Sequence, residues 1–208
     1  MGSQKKSPVR QKAAQPRHAR KEATQGRILE VARLHFEREG FEGASIRAIA
    51  SESGVAVGTV LLHFTDKAGL LHAALYDDLE KAITRCLDAK PRGSLLAWLS
   101  AIAGLFYGYY SARPKLSRTL LRESLFAEEP WRARFGAQVA RITTHVAMLV
   151  ERAKKDGAIR PETDARLFSV AFASIYYFPL IVWVQGGIDD PLPLFQKLMA
   201  QHLEGVRP

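Results

Sequence analysis

The residues whose types and spacing could carry chemistry are concentrated between Ser45 and Lys67, in the segment SIRAIASESGVAVGTVLLHFTDK. Ala50, Gly54 and Val60 supply what a helix-turn-helix requires: a small residue where the two helices touch, a turn residue that tolerates positive φ, and a branched apolar residue in the second helix. The second helix of such a unit can present its outer side chains to the major groove of DNA. The spacing therefore predicts two short helices within 45–63 that bind DNA, and it leaves open an arbitrary pair of helices in a bundle.

The same segment resembles the N-terminal region of transcription regulators of the tetracycline-repressor (TetR) family. The residues in register with that family's pattern are Ser45, Ile46, Arg47, Ile49, Ala50, Gly54, Val55, Gly58, Thr59, His63, Phe64, Lys67 and Leu70. The resemblance implies an all-α fold with a three-helix DNA-binding domain at 22–67 and a helical effector-binding domain at 68–208. It also implies a homodimer, formed through the last two helices, that binds a near-palindromic DNA operator and is released by a small molecule.

Three departures from the family pattern change the expected DNA contacts. Ala56 replaces the usual Ser of the turn, Val57 the polar residue after it, and Leu61 the usual Tyr. Side chains without donors cannot read guanine or adenine edges by hydrogen bonding, although they can contact a thymine methyl. Gly58 lets the backbone approach DNA closely.

The resemblance also assigns roles to individual residues. By that resemblance Ser45 caps the second helix and donates to a phosphate, Thr59 makes the main polar contact, and Lys67 binds the DNA backbone. The other interpretation of Ser45 and Lys67 is an ordinary cap and a solvated lysine. The complete set of predicted DNA-binding residues is Arg17, Arg20, Lys21, Ser45, Arg47, Val57, Gly58, Thr59, Leu61, Leu62, His63 and Lys67.

Positive charge is concentrated at the N-terminus. Seven of the 30 basic residues and none of the 21 acidic residues lie in 1–21, so the remaining chain has a net charge of only +2. Residues 22–64 hold four Arg against six Glu, a net charge of −2. A basic arm can be a solvated leader or can bind a polyanion. Since the helix-turn-helix is not basic, we expect a flexible arm at 1–21 to supply phosphate contacts.

The C-terminal domain is rich in aromatic residues, most of which are expected to fill a core. Some could line a cavity for a hydrophobic or aromatic effector. The predicted pocket residues are Trp98, Phe106, Tyr107, Tyr110, Arg122, Phe126, His145, Phe172 and Tyr176. For Arg122 an acidic partner, and for His145 a place in the core, are the alternatives. The predicted dimer interface comprises Ile175, Val182, Phe195, Leu198 and Met199, because neither core nor solvent obviously claims the stripe that contains Phe195 and Met199.

The uncharged run at 167–184 reaches the threshold length for a membrane span. Its serines, tyrosines and Pro179, and the charged amphipathic segments before it, favour a helix buried between its own core and a partner chain. No membrane partner is therefore expected. A membrane-associated or interaction protein with a basic tail remains the competing class.

Catalytic and cofactor motifs are missing from the sequence. It contains no Walker A segment, no dinucleotide-binding glycine pattern, no Gly-x-Ser-x-Gly and no His-Glu-x-x-His. The six histidines have no metal-ligand spacing, so neither enzymatic activity nor a metal or other cofactor is expected. The single cysteine, Cys86, excludes an internal disulfide and indicates a reducing compartment, here the bacterial cytoplasm.

Helical periodicity, caps and stop signals recur along the chain, and no strand pattern is present. Asp66, Ser94, Asp164 and Asp190 stand where they can cap helices, and glycine or proline follows most of the periodic segments. The expected helices, about nine, cover 24–39, two segments within 45–63, and approximately 66–89, 94–113, 115–127, 130–156, 164–185 and 190–206.

Overall fold

A computed structural model describes residues 17–89, 93–125 and 127–208 of the chain, with the side chains of Arg17 and of 122–125 left out. The described residues form nine α-helices and no strand. The helices are α1 (Arg17–Gly43), α2 (Ile46–Glu52), α3 (Val57–Phe64), α4 (Lys67–Asp88), α5 (Leu95–Ser111), α6 (Pro114–Leu125), α7 (Trp131–Lys155), α8 (Ala165–Val184) and α9 (Pro191–Glu204). The predicted all-α fold is confirmed.

Capping side chains begin four of the helices as predicted. Asp66 accepts a hydrogen bond from the Gly69 amide, and Ser94 accepts one from the Ala97 amide. Asp164 and Asp190 cap α8 and α9 in the same way. Each cap satisfies an amide that has no partner inside its helix, which is why these boundaries can be read from the sequence.

The N-terminal boundary differs from the prediction. Helix α1 begins at Arg17, so Arg17, Arg20 and Lys21, which were assigned to a flexible arm, belong to a helix. The rest of that arm, residues 1–16, lies outside the described residues. Gly40 has φ 73° and kinks α1 at the position where its first segment was expected to stop, because positive φ costs glycine little.

Helix α4 connects the two halves of the fold. It packs against α1 and α3 on one hand and against α5, α6 and α7 on the other. Leu70, Leu71 and Leu75 are fully buried in the continuous hydrophobic core. Helix α8 packs on both α7 and α9, and α9 also packs on α5. A displacement of α4 would therefore change its packing against α1 and α3 and also its packing against α5, α6 and α7.

Phe195 and Met199 were predicted at a dimer interface, and that prediction is wrong for both. Each has 0% of its surface exposed within the single chain. The ring of Phe195 meets Tyr107 at 6.1 Å and Phe172 at 5.7 Å, both edge to face. The stripe on α9 belongs to the core because α5 and α8 both cover it. Ile175, Val182 and Leu198 remain half-buried.

Candidate DNA-binding surface and ligand cavity

Helices α2 and α3 meet in the turn that the Ala-Gly-Val spacing predicts. Ala50 and Val60 are each 1% exposed, so the small residue and the branched residue both lie at the helix contact. Gly54 has φ 64°, and the amide of Val55 donates to the Ala50 carbonyl at 3.0 Å. A side chain at Gly54 would be strained by this backbone conformation whatever the surrounding space. The turn is therefore determined locally.

The outer face of α3 is apolar and exposed. Leu62 is 84% exposed, while Val57 and Leu61 are 37% and 41% exposed. Gly58 is exposed, and a Cβ atom at that position would meet no other atom within 4 Å. Internal packing therefore does not require a glycine at position 58. A binding partner that approaches the backbone closely is one reason for a glycine there. Thr59 is half-buried, which gives its hydroxyl less reach than the leucines have.

The polar residues predicted to bind DNA differ in the contacts that their side chains already make within the chain. Ser45 occupies the N-cap position of α2, but its hydroxyl makes no capping hydrogen bond, so the predicted side-chain cap is wrong. Arg47 is exposed and forms no ion pair with a described residue. The Lys67 ammonium donates to the Glu42 carbonyl at 3.1 Å and lies 4.7 Å from the centre of the Phe41 ring. Lys67 thus already ties α4 to the end of α1.

Arg20 and Lys21 are exposed on the first turns of α1. His63 is half-buried, with its ring 5.8 Å from that of Phe64. The contact of each of these residues with DNA stays a prediction.

A buried histidine that the sequence did not single out as functional joins α1 to α2. His35 is 3% exposed; its Nε2 lies 2.8 Å from a carboxylate oxygen of Glu52, and its Nδ1 lies 3.3 Å from Glu39. The Arg38 guanidinium hydrogen-bonds to Glu39 and lowers the pKa of that carboxyl. Two carboxylates thus fix the imidazole, and the imidazole fixes the angle between the first two helices. The only signal of this contact in the sequence is the position of His35 on the apolar face of α1.

Two arginine contacts attach α1 to the rest of the bundle. The Arg33 Nε donates to the Ala74 carbonyl at 2.9 Å and lies 3.3 Å from Asp78. Arg113, between α5 and α6, donates to Glu37. Both contacts join residues far apart in the sequence, so no local pattern could have predicted them.

A cavity of about 260 Å³ lies among helices α4, α5, α6, α7 and α8. Four of the nine predicted pocket residues line it: Phe106 and Tyr110 from α5, and Phe172 and Tyr176 from α8. Helix α4 contributes Leu79 and Ile83, and α7 contributes a wall that the prediction missed. The α7 residues are Arg132, Phe135, Gly136, Gln138, Val139, Ile142 and Thr143. Of these, Val139 and Ile142 belong to a helical stripe whose period alone does not distinguish a cavity wall from a core.

Tyrosine hydroxyls provide the polar groups in the deep part of the cavity. Tyr110 and Tyr176 hydrogen-bond to each other through their side chains, and burial raises the pKa of both. Both phenols are therefore neutral across the physiological pH range. Gln138 is engaged by the Tyr76 carbonyl at 3.3 Å and by Glu80 at 3.1 Å. The described side chains of the interior are thus apolar or uncharged, with hydroxyl groups available to one polar atom of a ligand.

Among the described residues that line the cavity, Arg132 is the one that carries a charge. It is 74% exposed and forms an ion pair with Glu129, at 2.8 Å. Its hydrogen bond lowers the pKa of Glu129. This cation therefore lies at the solvent end of the cavity.

The other predicted pocket residues lie elsewhere or outside the described side chains. Tyr107 is buried beside the cavity; its ring stacks on Tyr176 at 5.0 Å and its hydroxyl donates to the Tyr176 carbonyl at 2.7 Å. Trp98 does not line the cavity. His145 lines a separate shallow depression, and burial lowers its pKa. The predictions for Arg122 and Phe126 fall on side chains outside the described part of the chain.

An apolar stripe on the outer face of α8 is left exposed by the described residues of the chain. Leu167, Val170, Phe178 and Ile181 are 67%, 58%, 57% and 43% exposed. Their spacing of three, eight and three residues places them on one side of the helix. Helix α8 is long and apolar enough to cross a membrane, and 28% of its most apolar window is buried. Its other side packs on α7 and α9.

Comparisons with known proteins agree with this geometry. Residues 28–74 match the sequence model of the family described as bacterial regulatory proteins, tetR family. The transcriptional regulator UidR of Escherichia coli K12 is 39% identical over 62 residues, which are 30% of this chain and 32% of UidR. The match thus spans about a third of that relative's length. The transcriptional repressor KstR of Mycolicibacterium smegmatis is 27% identical over 168 residues, 76% of this chain and 75% of KstR.

Solved structures share the fold over most of the chain. The regulator FadR of Bacillus subtilis, solved with stearoyl-CoA, superposes with a TM-score of 0.69 at 17% identity, covering 88% of this chain and 99% of FadR. A regulator from Saccharomonospora viridis, solved with choline, has a TM-score of 0.67 at 22% identity and covers 88% and 95%. At these identities the likeness concerns the fold.

Proposed function

We propose that this chain, a member of the TetR family of transcriptional regulators, is a homodimeric repressor that leaves its operator when an uncharged apolar effector enters the larger domain. The family match covers the helix-turn-helix, and the fold agrees over the remaining helices. Repression is favoured because KstR, which aligns with three quarters of this chain, is named a repressor. A regulator of this kind acts in the bacterial cytoplasm and needs neither a catalytic residue nor a cofactor.

The observation that carries the DNA-binding proposal is the exposed apolar face of α3. A leucine that is 84% exposed costs solvation free energy unless a partner covers it. In the major groove such a side chain can contact a thymine methyl, and Gly58 allows the backbone to come close to the groove wall. We therefore expect Leu61 and Leu62 to select thymine, and Thr59 to add at most one polar contact.

Phosphate binding supplies the sequence-independent part of the affinity. Ser45 and Arg47 at the start of α2, together with Arg20 and Lys21 on α1, are exposed and available for it. Lys67 keeps two N–H donors after its bond to Glu42. Each phosphate contact adds about 0.9 to the slope of log K against log salt.

The dimer is proposed to form through the outer face of α8, with Leu167, Val170, Phe178 and Ile181 in the interface. A two-fold axis beside α8 would pair this stripe with its copy and remove both from water. Ile175 and Val182 on α8 and Leu198 on α9, which are half-buried in the single chain, are proposed to extend the contact.

The effector site is proposed to be the cavity that Phe106, Tyr110, Phe172 and Tyr176 line. The described side chains of its interior carry no charge, so an uncharged molecule with an apolar or aromatic body and one hydrogen-bonding group suits it. Leu79 and Ile83 on α4 form one wall, and α4 begins beside α3. A ligand that prefers one setting of α4 can change operator affinity only by that preference, commonly about 1–3 kcal/mol, and operator DNA must weaken ligand binding equally.

Selection of bound DNA from a random pool tests the DNA-binding proposal and yields the operator. Replacing individual thymines of that operator by uracil removes only the methyl group. Loss of one contacted methyl should weaken binding by about 0.8 kcal/mol, roughly fourfold. In the Leu62→Ala variant the same replacement should have no effect, whereas Leu34→Ala, which shortens an exposed leucine on α1, should behave as the wild type. Equal uracil effects in all three proteins would refute the proposed contact.

Gly136→Leu tests the effector site, because a Cβ at Gly136 meets no atom within 4 Å and Gly136 lines the cavity. The added side chain should fill the cavity and abolish effector binding, followed by the fluorescence of Trp131, while unliganded DNA binding persists. Gly26→Leu is the matched control, since Gly26 also has an open Cβ direction but lies on α1. Unchanged effector affinity in Gly136→Leu would place the effector elsewhere.

A further inference from the structure

A second opening lies on the other side of α4 from the effector cavity. It is a groove of about 340 Å³ between α4 and the end of α5. Small residues line it: Ala82 on α4, Gly108 on α5 and Ala112, which caps the end of α5. None of its lining residues lines the effector cavity. The groove is therefore a separate site.

Among the described residues that line this groove, three are cations and one is a carboxylate. Lys81 and Arg85 stand four residues apart on α4 and so share a face of that helix. Both are exposed, and neither forms an ion pair with a described residue. The carboxylate, Asp78, lies 3.3 Å from Arg33 and is thus already paired. Lys81 and Arg85 therefore bring two positive charges to the groove that no ion pair with a described residue balances.

The third cation, Arg113, is held in place before any ligand arrives. Its Nε donates to Glu37, and its guanidinium lies 4.8 Å from the centre of the Tyr109 ring. A guanidinium carries five N–H donors, so the two terminal nitrogens keep four of them. Stacking and the ion pair limit the rotamers of Arg113, and a ligand would therefore lose less conformational entropy on binding.

Operator DNA is a poor candidate for the occupant of this groove. Lys81 is 14 residues beyond Lys67, the residue at which α4 begins beside α3. At 1.5 Å per residue this distance is about 21 Å along the helix axis, away from the end that carries the proposed DNA contacts. The volume of the groove also suits a small molecule better than a polymer.

We propose that this groove binds a compact organic or inorganic anion with two or more negative charges, such as a phosphate ester or a tricarboxylate. Lys81 supplies a compact charge from α4, and Arg85 and Arg113 offer planar guanidinium groups to a phosphate or carboxylate. Because Arg113 also holds Glu37 on α1, the anion occupies a joint between the two halves of the fold. Binding itself does not rest on the proposed repressor function.

The test is calorimetric titration of the full-length protein with pyrophosphate and, separately, citrate, at constant ionic strength set by chloride. Saturable binding of one anion per chain is expected. Lys81→Gln and Arg85→Gln should each weaken it about two- to fivefold, the range of one exposed ion pair, and the double variant about tenfold. Lys197→Gln, which removes an exposed lysine of α9 outside the groove, should have no effect. Preference for pyrophosphate over citrate would identify the phosphate arm of the proposal, and the reverse the carboxylate arm.

Asp78→Asn provides a test that unfolding cannot imitate. It removes the negative charge that the described lining brings to the groove and keeps an oxygen that can accept from Arg33, so anion affinity should rise. Binding that does not saturate, or that the double variant and Asp78→Asn leave unchanged, would overturn the proposal. Because no DNA enters these titrations, their failure is distinct from a failure of operator binding.

Discussion

Replacing Phe178 by Glu should dissociate the dimer without unfolding the chain. Phe178 lies on the outer face of α8 and is 57% exposed, so its ring contributes little to the core of the single chain. Glu is among the better helix formers, and the change should not weaken α8 by propensity. In a two-fold interface each Glu would be buried close to its own copy, where two like charges are desolvated together.

The magnitude follows from the exposed area. A phenylalanine presents about 200 Å², of which 57% is about 110 Å² per chain, and a two-fold interface covers it twice. At about 25 cal/mol per Å² the two rings contribute up to about 5–6 kcal/mol to dimerisation. If the interface covers only half of this area, the loss is still about 3 kcal/mol, or roughly a hundredfold in the dimer dissociation constant.

Sedimentation velocity over a dilution series measures this constant directly. The wild type should sediment at twice the chain mass of 23.1 kDa, and Phe178→Glu should sediment at the chain mass with an unchanged melting temperature. Leu34→Glu is the matched control, because Leu34 is 52% exposed on α1, away from α8. A Phe178→Glu protein that remains dimeric with the wild-type dissociation constant would refute the assignment of the interface to this face.

Three further predictions concern the core and the helix ends. Phe195→Ala should lower the free energy of unfolding by about 3–5 kcal/mol, measured by urea denaturation, because the ring is fully buried; a loss below 1 kcal/mol would contradict its place in the core. Tyr107→Phe should cost about 1–2 kcal/mol in the same assay, because the Tyr176 carbonyl loses a hydrogen bond; an unchanged midpoint would contradict that bond. Backbone hydrogen bonds lower the pKa of Asp164 below 3.8, so its stabilisation is present above that pH and is lost as the pH falls through the folded-state pKa. The difference in melting temperature between wild type and Asp164→Ala should therefore be largest near neutral pH and shrink in acid, and a pH-independent difference would contradict a charged cap.

Local signals in the sequence were sufficient for the helices and for the helix-turn-helix. Asp66, Asp164 and Asp190 cap helices where predicted, because a cap satisfies amides of its own first turn and needs no distant partner. Gly54 marks the α2–α3 turn for an equally local reason, its positive φ. Ser45 is the exception: it stands at the start of α2 as expected, yet its hydroxyl makes no cap. The family resemblance depended on this same local segment.

The cavity was only partly predictable. Aromatic density in α5 and α8 led to Phe106, Tyr110, Phe172 and Tyr176, which line it. The same density also included Tyr107, whose ring stacks against Tyr176 beside the cavity. A cavity is a place where packing is incomplete, and residue types on one helix do not tell where facing helices leave a gap. The contribution of α7 was missed for that reason.

The sequence by itself determined which faces of α8 and α9 are apolar, and only the tertiary structure decided what covers each of them. Phe195 and the exposed Phe178 are both aromatic residues on an apolar face, yet the first has no exposed surface and the second is 57% exposed. An apolar stripe indicates that a face of the helix is to be shielded from water. It does not specify which partner covers that face, because the hydrophobic effect has no direction. The partner of the α9 stripe is set by the long-range packing of α5 and α8 against it, and that same packing leaves the outer stripe of α8 free.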